Sequence, residues 1–150
     1  MAGGTAQFEE SFARVVCNTP AERLERLMRA PLRGALLKVI FRQMPRHFDR
    51  KRGAGMNSSI RWVVTGRMDS TTDVYQLEIE DGRCRVVAGA RGSAPALTIT
   101  LDGVELLRLA AGCSDPMQAY FSGRVTLAGD IMVAARLSSL FRVPRASKPR

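Results

Sequence analysis

Few residues in this sequence have the type and spacing of an active site. His47 is the only histidine, so a nucleophilic triad would have to use it, yet it lies in a run of cations and no Gly-x-Ser-x-Gly elbow is present. No His, Cys, Asp and Glu cluster has metal-ligand spacing. A group of carboxylates is explained by solvated strand and loop positions: Asp69, Asp73, Glu78, Glu80 and Asp81. The sequence therefore predicts no catalytic residue, no metal and no cofactor.

The cysteines indicate a compartment. Cys17, Cys84 and Cys113 are odd in number and lack Cys-x-x-Cys spacing, which predicts reduced thiols and a cytoplasmic location. No apolar run reaches the roughly 18 residues of a spanning helix, and residues 1–10 lack the features of a signal peptide. The excess of 20 Arg over 3 Lys suggests a GC-rich coding sequence and hence a bacterial source.

The chain of 150 residues is basic, with a formal net charge of +9. Its cations are concentrated in a cluster and in a tail: Arg42, Arg46, His47, Arg50, Lys51 and Arg52, and Arg142, Arg145, Lys148 and Arg150. These cations are either solvated, or they contact an anionic membrane surface or the phosphates of an acyl-CoA. Each basic residue near an anionic surface would contribute about 1 kcal/mol to the free energy of binding. Nucleic acid is disfavoured, because one Trp and few other aromatics offer no stacking platform.

Helical periodicity occupies the first third of the chain. Residues 1–18 lack sustained periodicity and are predicted to be a flexible arm. A capping box, Thr19 to Glu22, then opens a stretch whose arginines lie off the apolar stripe. Pro31 is expected to divide the stretch and Pro45 to end it. The stripe comprises Leu24, Leu27, Met28, Leu32, Leu36, Val39, Ile40, Met44 and Phe48.

The middle of the chain alternates apolar and polar residues with the period of strands. Asp81-Gly82 has the spacing of a two-residue hairpin turn. Leu97–Leu101 and Arg124–Ala128 are the fourth and fifth predicted strands. The first three strands place one apolar set inward: Ile60, Trp62 and Val64; Tyr75, Leu77 and Ile79; Cys84, Val86 and Ala88.

Three further helices are predicted from caps: one from Asp102 to Gly112, one from Asp115 to Gly123, and one after Asp130. Strands that are polar on one side imply a sheet with one covered face. The prediction is an α+β domain with a five-stranded, mostly antiparallel sheet and helices on one face. Residues 19–143 form the domain, and residues 144–150 a basic tail.

The block from Leu101 to Phe141 resembles the sterol carrier protein type-two family. It has that family's order of acidic cap, Ala-Gly, Asp-Pro, aromatic, Gly and Gly-Asp. The resemblance implies a five-stranded sheet whose helices leave an apolar tunnel. The matching positions are Asp102, Leu106, Leu107, Gly112, Asp115, Pro116, Ala119, Phe121, Gly123, Gly129 and Asp130.

The resemblance also implies which inward residues line the tunnel, whereas without it they would fill an ordinary core. Met44 and Met117 would suit ligands of variable shape. The predicted ligand-binding residues are Leu36, Ile40, Met44, Trp62, Val64, Leu77, Ile79, Ile99, Met117, Gln118, Phe121, Val133, Leu137 and Phe141.

Three functions fit these residues. The first is a carrier that holds a fatty acid, fatty acyl-CoA, sterol or polycyclic metabolite. The second is an enzyme of bacterial specialised or steroid metabolism that uses the apolar pocket with polar residues such as Tyr75, Gln118 or Tyr120. The third is an accessory domain that dimerises or docks. The carrier is the predicted function.

Overall fold

The structure is a computed structural model that describes residues 11–29, 31–67, 69–90 and 94–141. Within these ranges, helix α1 covers residues 11–18. The remaining helices are α2 (Ala21–Arg29), α3 (Arg33–Gln43) followed by a 3-10 turn (Met44–His47), α4 (Gly103–Ala110), α5 (Pro116–Phe121) and α6 (Ile131–Leu140). The strands are β1 (Asn57–Thr65), β2 (Asp73–Glu80), β3 (Arg83–Ala88), β4 (Leu97–Asp102) and β5 (Val125–Gly129).

The five strands form one sheet in the order β3-β2-β1-β4-β5. Only the β1–β4 pair is parallel among these strands, so the predicted mostly antiparallel α+β fold is confirmed. The β2–β3 hairpin turns at Asp81 and Gly82, whose φ angles of 42° and 81° are those of a type I′ turn. That turn fixes the register in which Glu80 faces Arg83.

The two faces of the sheet differ in polarity. On the inner face, Ile60, Leu77 and Leu97 are fully buried in the core. On the outer face, the Gln76 side chain is equally buried but donates to Ser59 Oγ at 2.7 Å and to Glu78 Oε1 at 2.8 Å. These hydrogen bonds offset the cost of burying an amide. The apolar side chains thus lie on the face that the helices cover.

The predicted helix boundaries are mostly confirmed. The division at Pro31 is found, although the chain continues through the 3-10 turn beyond Pro45. Asp102 Oδ1 accepts from the backbone N–H of Glu105 at 2.7 Å, as the capping box predicts. The predicted capping box at Thr19 is wrong, because the Thr19 hydroxyl donates to the carbonyl of Val15 in the preceding helix instead of capping α2.

Arg33 contradicts the prediction that the early arginines lie off the apolar stripe. Its side chain is buried and donates to the carbonyls of Met28, Val64 and Thr65, at 2.9 to 3.2 Å. It also pairs with Asp73 Oδ2 at 2.9 Å. The guanidinium is tolerated in the interior because each of its nitrogens has a partner. It joins the ends of α2, β1 and β2.

The prediction of reduced thiols is wrong for two cysteines. Cys17 and Cys113 form a disulfide whose Cα atoms lie 5.5 Å apart. The predicted arm is also helical over residues 11–18, where Ala13 and Val16 are buried in the core. Residues 1–10 and 142–150, including the predicted basic tail, lie outside the described residues. Cys84 is free, and burial raises the pKa of its thiol to about 12.

Candidate functional site

An apolar cavity of about 460 Å³ lies between the inner face of the sheet and the helices. This volume falls within the range of about 300–1,000 Å³ found for small-molecule sites. Its floor is formed by strand residues Trp62, Ile99, Val125 and Leu127. Its walls are formed by Phe12 of α1; Val39, Ile40, Gln43, Met44 and His47; Leu106, Leu109 and Ala110; Pro116, Met117, Tyr120 and Phe121; and Ile131, Ala134, Ala135, Leu137 and Phe141.

Two small side chains of α6, Ala134 and Ala135, line the cavity wall. Ala134 is half-buried and Ala135 is exposed. Protein interiors are otherwise packed as densely as organic crystals, so an apolar space of this size is unusual for a folded core.

The cavity is open to solvent on one side. Several apolar residues of its wall are largely exposed to solvent. Their exposed fractions are 46% for Val39, 62% for Met117, 76% for Phe121 and 59% for Ile131. They come from α3, α5 and α6, so these elements border the opening. A ligand can enter there without unfolding of the sheet.

An aromatic stack supports one side of the floor. Phe41 is fully buried and stacks on Tyr75 with ring centroids 4.1 Å apart, and it meets Trp62 edge-on at 5.9 Å. Burial, and to a lesser extent the charge of Asp73, raises the pKa of Tyr75. The stack holds Trp62 in place against the cavity.

The polar side of the cavity lies on α3 and the 3-10 turn. Gln43 and His47, one helical turn apart, are wall residues there. A set of exposed cations, here called the basic ridge, runs from α3 through the 3-10 turn into the loop that follows it. One acid, Asp49, interrupts the set. His47 borders both the cavity and a shallow depression of about 290 Å³ on this ridge. The basic ridge comprises Lys38, Arg42, Arg46, Arg50, Lys51 and Arg52.

Eight of the predicted ligand-binding residues lie in the cavity wall or floor: Ile40, Met44, Trp62, Ile99, Met117, Phe121, Leu137 and Phe141. The others do not. Val64, Leu77, Ile79 and Val133 are buried in the core, Leu36 packs against the core, and Gln118 is exposed. Apart from Gln118, these residues point to the inner side of their strands or helices, but that orientation alone does not distinguish a residue packed in the core from one that lines the cavity.

Other wall residues were missed by the sequence analysis. Val39 belongs to the predicted apolar stripe but was not assigned to the ligand site, and Gln43 directly precedes Met44 on α3. A predicted ligand-binding face one residue wider would have included both. Phe12 was missed because it falls in the predicted arm. Ala134 and Ala135 could not be identified as wall residues, because alanine is common in helices of any kind and its presence does not indicate a cavity.

The polar residues considered for an enzyme are not brought together. Tyr120 lines the cavity, whereas Tyr75 is buried beside Trp62, its partner on the neighbouring strand, and Gln118 is exposed on α5. Over the described ranges, no group of three or more His, Cys, Asp or Glu side chains is placed to hold a metal ion. In the same ranges, no helix combines the length and apolar character that crossing a membrane requires.

Sequence comparison links this fold to known proteins. The sequence model of the SCP-2 sterol transfer family matches residues 38–142. The chain is 28% identical over 87 residues to peroxisomal multifunctional enzyme type 2 of Mus musculus; this covers 57% of the chain and 12% of the mouse protein. The chain thus spans about an eighth of the length of this relative.

Structural comparison gives the same result for the fold. The sec-alkylsulfatase Pisa1 from Pseudomonas sp. superposes with a TM-score of 0.60 at 20% identity, over 75% of this chain and 17% of that one. Palmitated SCP2L2 from Aedes aegypti superposes with a TM-score of 0.55 at 18% identity, over 69% of this chain and 91% of that one. With most of its described domain matched by the family's sequence model, this chain belongs to the SCP-2 sterol transfer family.

Proposed function

We propose that this chain binds and carries one long-chain amphiphile with an acidic headgroup, a fatty acid or its acyl-CoA, with the hydrocarbon chain in the cavity. The observation that carries the proposal is the apolar cavity of about 460 Å³ that opens beside a basic ridge. Membership of the family supports a lipid-binding or lipid-transfer role. The palmitated SCP2L2 neighbour supports the choice of an acyl chain.

The hydrocarbon chain supplies most of the binding free energy. Removing about ten methylenes from water at roughly 0.8 kcal/mol each gives about 8 kcal/mol before ordering costs. A free energy near that value corresponds to a Kd in the micromolar range. Such an affinity suits a carrier, because the ligand must also be released.

We assign the headgroup to the polar side of the cavity. Gln43 and His47 lie in the wall there, and Arg46, Arg50 and Lys51 lie beside His47 along the neighbouring depression. A carboxylate or phosphate at this position would leave the chain in the apolar part. The cations are exposed, so each contributes only about 0 to 1 kcal/mol. The headgroup therefore sets orientation more than affinity.

The headgroup assignment predicts a dependence on salt. We expect hexadecanoic acid to bind more tightly than hexadecan-1-ol at an ionic strength of about 0.01 M, and the difference to vanish near 1 M, as the Debye length falls from about 30 Å to about 3 Å. The charge-reversed pair Arg46→Glu with Lys51→Glu should weaken the acid about threefold to tenfold and leave the alcohol unchanged. Isothermal titration calorimetry measures both affinities.

The control reverses two other exposed arginines, Arg23→Glu with Arg29→Glu on α2, which changes the net charge equally away from the cavity wall. If both double variants weakened the binding of hexadecanoic acid equally, the effect would come from the net charge of the chain, and this result would contradict the headgroup site. Cholesterol binding in preference to the acid would contradict the ligand class.

The basic ridge also fits an anionic membrane surface during loading. Flotation with vesicles of phosphatidylcholine, with and without phosphatidylserine, separates this contact from headgroup binding, because no free ligand is present. We also propose a cytoplasmic location, for which the Cys17–Cys113 disulfide removes the argument from reduced thiols. In that compartment thiol systems reduce disulfides, so the state of the Cys17–Cys113 bond would follow the local redox conditions.

A further inference from the structure

We propose that the Cys17–Cys113 disulfide is a redox modification site that fastens one wall of the cavity, and that its reduction by a dithiol releases α1 and speeds the loss of ligand. This inference rests on the proposed function for its effect on ligand. Its effect on α1 does not depend on any ligand.

The disulfide joins α1 to the turn between α4 and α5, across a sequence separation of 96 residues, and each of these segments lies next to residues of the cavity wall. On one side, Phe12 is a wall residue of the same helix as Cys17. On the other side, Cys113 lies in the turn between α4 and α5, where Ala110 and Pro116 are wall residues. The bond therefore holds Phe12 against the wall formed by α4 and α5.

The two segments that the disulfide joins, α1 and the α4–α5 turn, differ in their other contacts with the domain. The α4–α5 turn is anchored by Glu105, which is buried, accepts from the Ser114 hydroxyl and lies 3.6 Å from Arg124 Nη1. Helix α1 buries Ala13 and Val16 in the core, and Phe12 and Cys17 pack against the core while partly exposed. Because α1 contributes only two buried side chains, we expect loss of the disulfide to free α1 rather than the turn.

The chemistry is a balanced exchange between a dithiol and the disulfide. A thiolate of the reductant attacks one sulfur and forms a mixed disulfide, and its second thiol then displaces the protein thiol. Cys17 and Cys113 become thiols by gaining two electrons and two protons, and the reductant becomes a cyclic disulfide. Both cysteines are only partly buried, so a small dithiol can reach them.

The test begins with the ligand-free chain, oxidised with glutathione disulfide or reduced with dithiothreitol. We expect amide hydrogen exchange over residues 11–18 to be at least tenfold faster after reduction, while exchange in β1 and β4 is unchanged. Failure of the bond to form, or equal exchange over residues 11–18 in both states, would overturn the fastening role.

The second readout is the dissociation rate of hexadecanoic acid. We expect reduction to speed dissociation about tenfold, equivalent to about 1.4 kcal/mol. The Cys17→Ser, Cys113→Ser double variant should match the reduced chain and ignore dithiothreitol, whereas Cys84→Ser should behave as the parent. Equal rates in both states would overturn the inference. No binding by the oxidised chain would overturn the proposed function, while the exchange data still decide the role of the bond.

Discussion

An Ala134→Phe variant is expected to bind hexadecanoic acid about 100-fold more weakly than the parent chain. Ala134 lines the cavity from α6, and a phenyl ring there takes the place of part of the ligand. Displacing about four methylenes at roughly 0.8 kcal/mol each costs about 3 kcal/mol. Each 1.4 kcal/mol is a factor of about ten in affinity. Isothermal titration calorimetry measures the change.

The matched control is Ala35→Phe, which makes the same substitution on an exposed face of α3 outside the cavity. It should bind as the parent does. The thermal unfolding midpoint of Ala134→Phe should not fall, because the ring fills empty space rather than displacing packed side chains. Parent-like affinity in a folded Ala134→Phe chain would place the ligand elsewhere.

An Arg33→Met variant is expected to lose about 3–5 kcal/mol of unfolding free energy, because it breaks a largely buried ion pair from one side and removes the donor of three further hydrogen bonds. The substitution removes one of the two arginine partners of Asp73 and the donors to the Met28, Val64 and Thr65 carbonyls. Total stabilities of small domains are only about 5–15 kcal/mol. Urea unfolding followed by circular dichroism measures the loss.

Arg67→Met provides the control for this variant, because Arg67 Nη1 lies 3.0 Å from the same carboxylate of Asp73 but its side chain is 41% exposed. We expect it to cost less than about 1 kcal/mol. Losses of similar size in both variants would mean that the burial of Arg33 contributes nothing beyond a surface ion pair.

The sheet could be predicted from sequence because its signals are local. Alternation fixes which side of each strand faces inward, and Asp81-Gly82 supplies the positive φ angles of the hairpin turn. Asp102 likewise caps α4 through a bond to a residue three positions away. The cavity was predicted only from the family resemblance of the block that begins at Leu101, because no local sequence pattern reports unfilled space between helices and a sheet.

The remaining features depend on contacts distant in sequence. Cys17 and Cys113 are 96 residues apart, and three cysteines allow more than one pairing. Arg33 is buried because carbonyls from α2 and β1 converge on it, which periodicity does not report. Leu77 and Ile99 both point inward, yet only Ile99 meets the cavity, since its position depends on how the helices lie over the sheet.

The most direct test of an acyl chain in this cavity uses Trp62, which is the only tryptophan of the chain and part of the cavity floor. Bromine on a bound fatty acid quenches tryptophan fluorescence only near contact. Titration with hexadecanoic acid brominated along its chain should quench Trp62 saturably at one ligand per chain, with little quenching in Ala134→Phe. Binding by calorimetry without quenching of Trp62, or equal quenching in both chains, would contradict an acyl ligand in the cavity.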